Sequence, residues 1–63
     1  MKEEFVILVR VHSKKQGGEP FYIQYNTYDN YPTDEEIQDA LWHYEENDSY
    51  MVLNAKVEKR YTI

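Results

Sequence analysis

In the run Phe5-Val6-Ile7-Leu8-Val9-Arg10-Val11-His12, both of the faces that a strand would present carry apolar residues. Its odd positions, Phe5, Ile7, Val9 and Val11, make one continuous apolar face. Its even positions, Val6, Leu8, Arg10 and His12, are half apolar. β-Branched and aromatic side chains favour extended structure. A strand that is apolar on both sides needs cover on both, which suits the centre of a sheet. Whatever else the chain does must be arranged around this segment.

Ser13 to Pro20 carries Lys14, Lys15, Gly17 and Gly18 and reads as a hairpin loop in which glycine supplies positive φ. Phe21 to Asn26 then forms a second strand, with Phe21, Ile23 and Tyr25 toward the core and Tyr22, Gln24 and Asn26 away from it. Asn26 to Pro32 is irregular, with Tyr28 and Tyr31 packing the loop. Thr33-Asp34-Glu35-Glu36 fits a capping box, in which Thr33 and Glu36 satisfy each other's amides. Ile37, Ala40, Leu41 and Tyr44 follow at i, i+3, i+4 and i+7, one stripe of a helix, and Asn47-Asp48 stops it.

Tyr50 to Ile63 alternates as a third strand. Met51, Leu53, Ala55, Val57, Tyr61 and Ile63 are expected on the core face, with Lys59 as the polar exception. Val52 is expected on the opposite face, with Asn54, Lys56, Glu58 and Arg60. The element order predicts an α+β fold, ββαβ, with a three-stranded antiparallel sheet of order 2-1-3 and one helix on one face.

Sixty-three residues make a single domain, 1–63. A chain this short buries only about 60% of its unfolded surface, so it gains from anything that adds contacts. With no cysteine, disulfides and thiolate metal sites are excluded, and the seven Tyr, two Phe and one Trp supply the large buried areas. Self-association is the other expected compensation. The uncovered sheet face, with Val6, Leu8, Tyr22 and Val52, is the expected surface for a homodimer or larger assembly. No apolar stretch approaches the roughly 20 residues of a membrane span. Absent cysteines and the lack of a signal-peptide pattern fit a cytoplasmic protein.

The charge is segregated. Asp29 to Asp48 holds eight acids and no Lys or Arg, a segment of −8. The remainder holds all seven basic residues against four acids, which leaves it at +3, and the whole at −5. Helices normally mix lysines among their acids at i+4. Their absence has two readings: a solvated face that serves capping and solubility, or a negative surface that engages a basic partner, imitating spaced phosphates. Trp42 lies about 140° around the helix from Ile37, among Gln38, Asp39, Glu45 and Glu46. An exposed Trp there would be an interaction hot spot. The alternative is a Trp folded over the helix flank against the Asn26–Pro32 loop. The candidate partner-binding residues are Asp34, Glu35, Asp39, Trp42, Glu45 and Glu46.

A second function class comes from the sheet. Arg10, His12, Lys56 and Arg60 with Tyr22 are the ingredients of a single-strand nucleic-acid platform, but Glu58 interrupts the row. A third is a structural homo-oligomer subunit. Enzymatic chemistry is not expected. The only two histidines are His12 and His43, and Asp39 with His43 at i, i+4 lacks a third metal ligand. Gly17-Gly18 lacks the length and lysine context of a phosphate loop, and no cofactor motif is present.

Pro32-Thr33-Asp34-Glu35-Glu36-Ile37 leading into a helix, then Ala55-Lys56-Val57-Glu58-Lys59-Arg60-Tyr61, together with size and acidic-aromatic composition, resembles small bacteriophage and prophage proteins. That resemblance implies binding and redirection of host machinery, in the host cytoplasm, and assigns no functional residue.

Overall fold

Lys2–Ser13 forms the central strand, β1, of a three-stranded antiparallel sheet. The computed structural model describes residues 2–15 and 17–62. β2 (Phe21–Tyr28) pairs along one edge of β1 and β3 (Tyr50–Thr62) along the other, giving the order β2-β1-β3. α1 (Asp34–Glu45) connects β2 to β3 across one face. The fold is therefore α+β, ββαβ, as the pattern of the sequence requires. Ile63, expected on the core face, lies outside the described residues.

The core forms where the odd face of β1 meets α1. Ile7, Val9, Val11 and Ala40 are fully buried there. Ile23, Tyr25, Tyr28, Ile37, Leu41, Tyr44, Tyr50, Val52, Ala55 and Val57 pack around them. Ala40 is the small residue at the closest approach of helix to sheet, and a longer side chain would hold the two apart.

The helix ends as its residues dictate. The Thr33 hydroxyl accepts from the Glu36 amide at 3.2 Å, and the Glu36 carboxylate accepts from the Thr33 amide at 2.9 Å. At the other end Asn47 donates its amide to the Tyr44 carbonyl at 3.1 Å. Its side-chain oxygen accepts from the Ser49 amide at 2.9 Å, turning the chain into β3. In the hairpin loop Gly17 and Gly18 hold φ of 65° and 96°, the left-handed region that a Cβ disfavours.

Two bulges alter the expected facing. Ile7 stands opposite Asn26 and Leu8 opposite Gln24, so Tyr25 is an extra residue in β2. Beyond it the strand continues to Tyr28, opposite Phe5, so Tyr28 joins the core as part of the sheet instead of packing a loop. Asn26, expected to point away, shares the face of Ile7. In β3, Arg10 stands opposite Asn54 but Val11 opposite Val52, which leaves Leu53 extra.

The second bulge overturns an expectation about the open face. Cross-strand partners share a face, so Val52, opposite Val11, packs on the helix side and not on the uncovered side. Tyr50 follows it inward, with its ring edge-on to Phe21 at 6.0 Å and to Tyr44 at 6.4 Å. Met51, expected inside, is exposed on the open face opposite His12.

The open face is also not bare. Val6 and Leu8 lie on it, yet they are only 1% and 8% exposed. Thr27 and Glu58 flank Val6, and Gln24 and Lys56 flank Leu8. The Arg60 guanidinium donates to the Gln24 side-chain carbonyl at 3.3 Å, spanning from β3 to β2. The Lys56 ammonium sits 4.5 Å above the Tyr22 ring. Long polar side chains from both outer strands thus lay their aliphatic stems over the two apolar residues. Of the four residues expected to drive self-association, only Tyr22 stays exposed on this face.

Candidate functional site

Helix geometry sorts the acidic residues into two sets. At about 100° per residue, Glu35, Asp39, Trp42 and Glu46 share the outer stripe, roughly opposite the Ile37–Leu41–Tyr44 side that meets the sheet. Asp34 and Glu45 lie on the flank between that stripe and the core side. All six are exposed. Glu35 to Glu46 spans about 16 Å along the axis at the helical rise.

Trp42 is 60% exposed. At that exposure the indole is not packed against the Asn26–Pro32 loop. His43 packs its ring 5.5 Å from Tyr25 and 4.9 Å from Tyr44, which ties its flank of the helix to β2. Tyr31, in the loop itself, places its ring edge-on to Phe5 at 5.6 Å. The indole is left to the solvent on the outer surface.

Among the described residues, the acids around Trp42 have no neutralising partner. Among the described residues the ion pairs are Lys2 with Asp29, Lys59 with Glu3 and Arg60 with Glu58, and none involves a carboxylate of α1. Asp34, Glu35 and Glu36 sit in the first turn, where the positive end of the helix dipole favours them. Glu45 and Glu46 sit at the last residue and the C-cap, where the dipole opposes them. Glu35 and Asp39 are a like-charge i, i+4 pair, which costs a few tenths of a kcal/mol. Capping and the helix dipole account for the first-turn acids. They do not account for acids at the wrong end of the dipole.

The negative charge reaches the core rim. Burial pushes the Tyr28 phenol above the ordinary tyrosine value of 10.0, a hydrogen bond with Asn26 opposes this, and the carboxylates of Glu36 and Asp39 add to the rise. Tyr44 is pushed up by burial and by its neighbours Tyr25 and Tyr50.

The other candidate surfaces are differently built. On the sheet, Lys56 occupies one face of the Tyr22 ring, the surface on which a base would stack. His12 donates from Nδ1 to the Ser13 carbonyl at 2.9 Å. An open cleft of about 270 Å³ at the hairpin end is lined by Ser13, Lys15, Phe21, Ser49 and Tyr50. Among the described residues no group of three or more His, Cys, Asp or Glu is placed to hold a metal ion, and no helix is long and apolar enough to cross a membrane.

Sequence reasoning missed both bulges, at Tyr25 and at Leu53, and the one at Leu53 moved a candidate residue, Val52. Tyr50-Met51-Val52-Leu53 is an unbroken apolar run, so alternation could not say which of these residues face inward.

Compared with known proteins, the chain matches no family model, no curated protein and no solved structure.

Proposed function

We propose that this protein is a non-enzymatic interaction module that docks the outer stripe of α1 on a basic protein. The observation that supports the reading is Trp42, 60% exposed among carboxylates that no cation neutralises among the described residues. A large amphipathic ring supplies desolvated contact at the centre of such an interface. The surrounding carboxylates steer the encounter and set the register, so the association depends on ionic strength. Glu45 and Glu46 fit this role because they cost the helix stability where they stand. On the resemblance to small phage proteins, the first partners to offer are nucleic-acid-binding proteins of the host, whose grooves are basic.

The test is capture of partners from a bacterial lysate on immobilised wild-type protein, Trp42→Ala and Glu35→Lys/Glu46→Lys, at low and at raised salt. A basic protein retained by the wild type, lost by both variants and released by salt supports the proposal. Partners that ignore salt and both variants would sink it.

A further inference from the structure

Among the described residues β3 has a neighbouring strand on one side only, and its outer edge is long. The strand runs thirteen residues, Tyr50–Thr62, against eight in β2. Beyond the Leu53 bulge it pairs with β1 without interruption from Asn54, opposite Arg10, to Thr62, opposite Lys2. That is about 30 Å of regular strand whose outward N–H and C=O groups meet no other strand. It contains no proline. A long, regular strand edge is a template for another strand.

The charges along this edge say which strand. When two copies pair antiparallel about a two-fold axis, residues opposite each other share a face, so the axis passes through one residue. An axis through Glu58 would put Glu58 against itself and Lys56 against Arg60. An axis through Lys56 or Lys59 would put a lysine against itself. An axis through Val57 places a neutral residue at the dyad and Lys56 of each copy opposite Glu58 of the other. It also sets Asn54 opposite Arg60, and Leu53 opposite Tyr61, two exposed large apolar side chains that find each other only in this register.

The helices agree with that axis. Tyr50, Val52, Ala55 and Val57 of β3 pack into the core that α1 covers. A dyad at Val57 carries the second copy's Tyr50, Val52 and Ala55, and the helix packed with them, toward the other half of the seam. Lys59 of each copy comes opposite Ala55 of the other, on the face that carries the acidic helix.

We propose that the outer edge of β3 is a homodimer interface, in which two copies join into a six-stranded antiparallel sheet about a two-fold axis through Val57, with Lys56 paired to Glu58 across it. The interface is separate from the outer stripe of α1 and stands or falls without it. Pairing gives each β3 a second neighbouring strand and removes the longest exposed edge of the sheet.

Sedimentation equilibrium of the full chain tests this, with Lys56→Glu, Glu58→Lys and the double exchange Lys56→Glu/Glu58→Lys. Circular dichroism checks that each variant keeps its fold; both side chains are exposed. The wild type is expected to be dimeric. Each single change sets like charges opposite each other at two places and raises the dissociation constant about tenfold. The double exchange restores the dimer. It does not restore the contacts Lys56 makes with Tyr22 or Glu58 with Arg60 inside one chain, so recovery reports the pairing between chains. A wild type that is monomeric at millimolar concentration overturns the proposal. So does a dimer that ignores the single changes, or one that the double exchange fails to restore.

Discussion

Val11 stands opposite Val52, while its neighbour Arg10 stands opposite Asn54. The one residue left over, Leu53, decides which half of β3's first turn of alternation faces the helix. Val52→Ala removes packed methyl groups and should cost about 1–2 kcal/mol in urea unfolding. Met51→Ala, on the exposed side, should change stability by less than about 0.5 kcal/mol. Equal effects, or the reverse order, would place the bulge elsewhere.

Ala40 is fully buried where α1 meets the sheet. Ala40→Leu adds volume to a site with no room and should destabilise by about 1–3 kcal/mol. Thermal unfolding followed by circular dichroism measures it, and a gain in midpoint would mean that a cavity lies there.

The two ends of α1 should respond oppositely to loss of acids and caps. Thr33→Ala removes half of the capping box and should cost about 1 kcal/mol. Glu45→Lys/Glu46→Lys replaces acids at the negative end of the dipole and should stabilise by about 0.3–1 kcal/mol for each change. If these acids serve a partner, the same double variant binds it less well while it folds more stably. Loss of stability in that variant would show that the acids support the fold.

Trp42 should report its exposure directly. Its emission should be red-shifted and open to a dissolved quencher in both monomer and dimer, because the β3 edge does not cover α1's outer stripe. Trp42→Ala should leave the urea midpoint nearly unchanged, within about 0.5 kcal/mol. A blue-shifted, protected emission would contradict the solvent-facing indole.

Alkaline pH should weaken the fold. Burial holds the Tyr28 and Tyr44 phenols above 10.0, so the folded chain keeps their protons more tightly than the unfolded chain does. The stability they contribute is complete below the unfolded value and is lost as pH rises through the folded one. Lys59, raised by its hydrogen bond to Glu3, acts in the same direction but lies in solvent. Thermal midpoints should therefore fall above about pH 10, and less steeply in Tyr28→Phe. A midpoint that climbs over that range would reverse the assignment.

Local rules written in the sequence determined the elements of this protein and their order. Phe5 to Val11 is apolar on both faces and could only be central; Thr33 and Glu36 cap a helix whose stripe runs Ile37, Ala40, Leu41, Tyr44; and the glycines at 17 and 18 turn the hairpin. The uncompensated charge of the helix was equally legible, since charge does not depend on packing. Tertiary structure alone decided the facing of Val52 and Met51, because a bulge adds one residue that no propensity marks. It also decided that Val6 and Leu8 are covered, through side chains that reach across from Gln24, Lys56 and Arg60 on other strands. It also left the Trp42 indole in solvent, on the side of α1 away from the sheet. Each of these outcomes depends on which distant side chains compete for the same space, and neighbours in sequence carry no record of that competition.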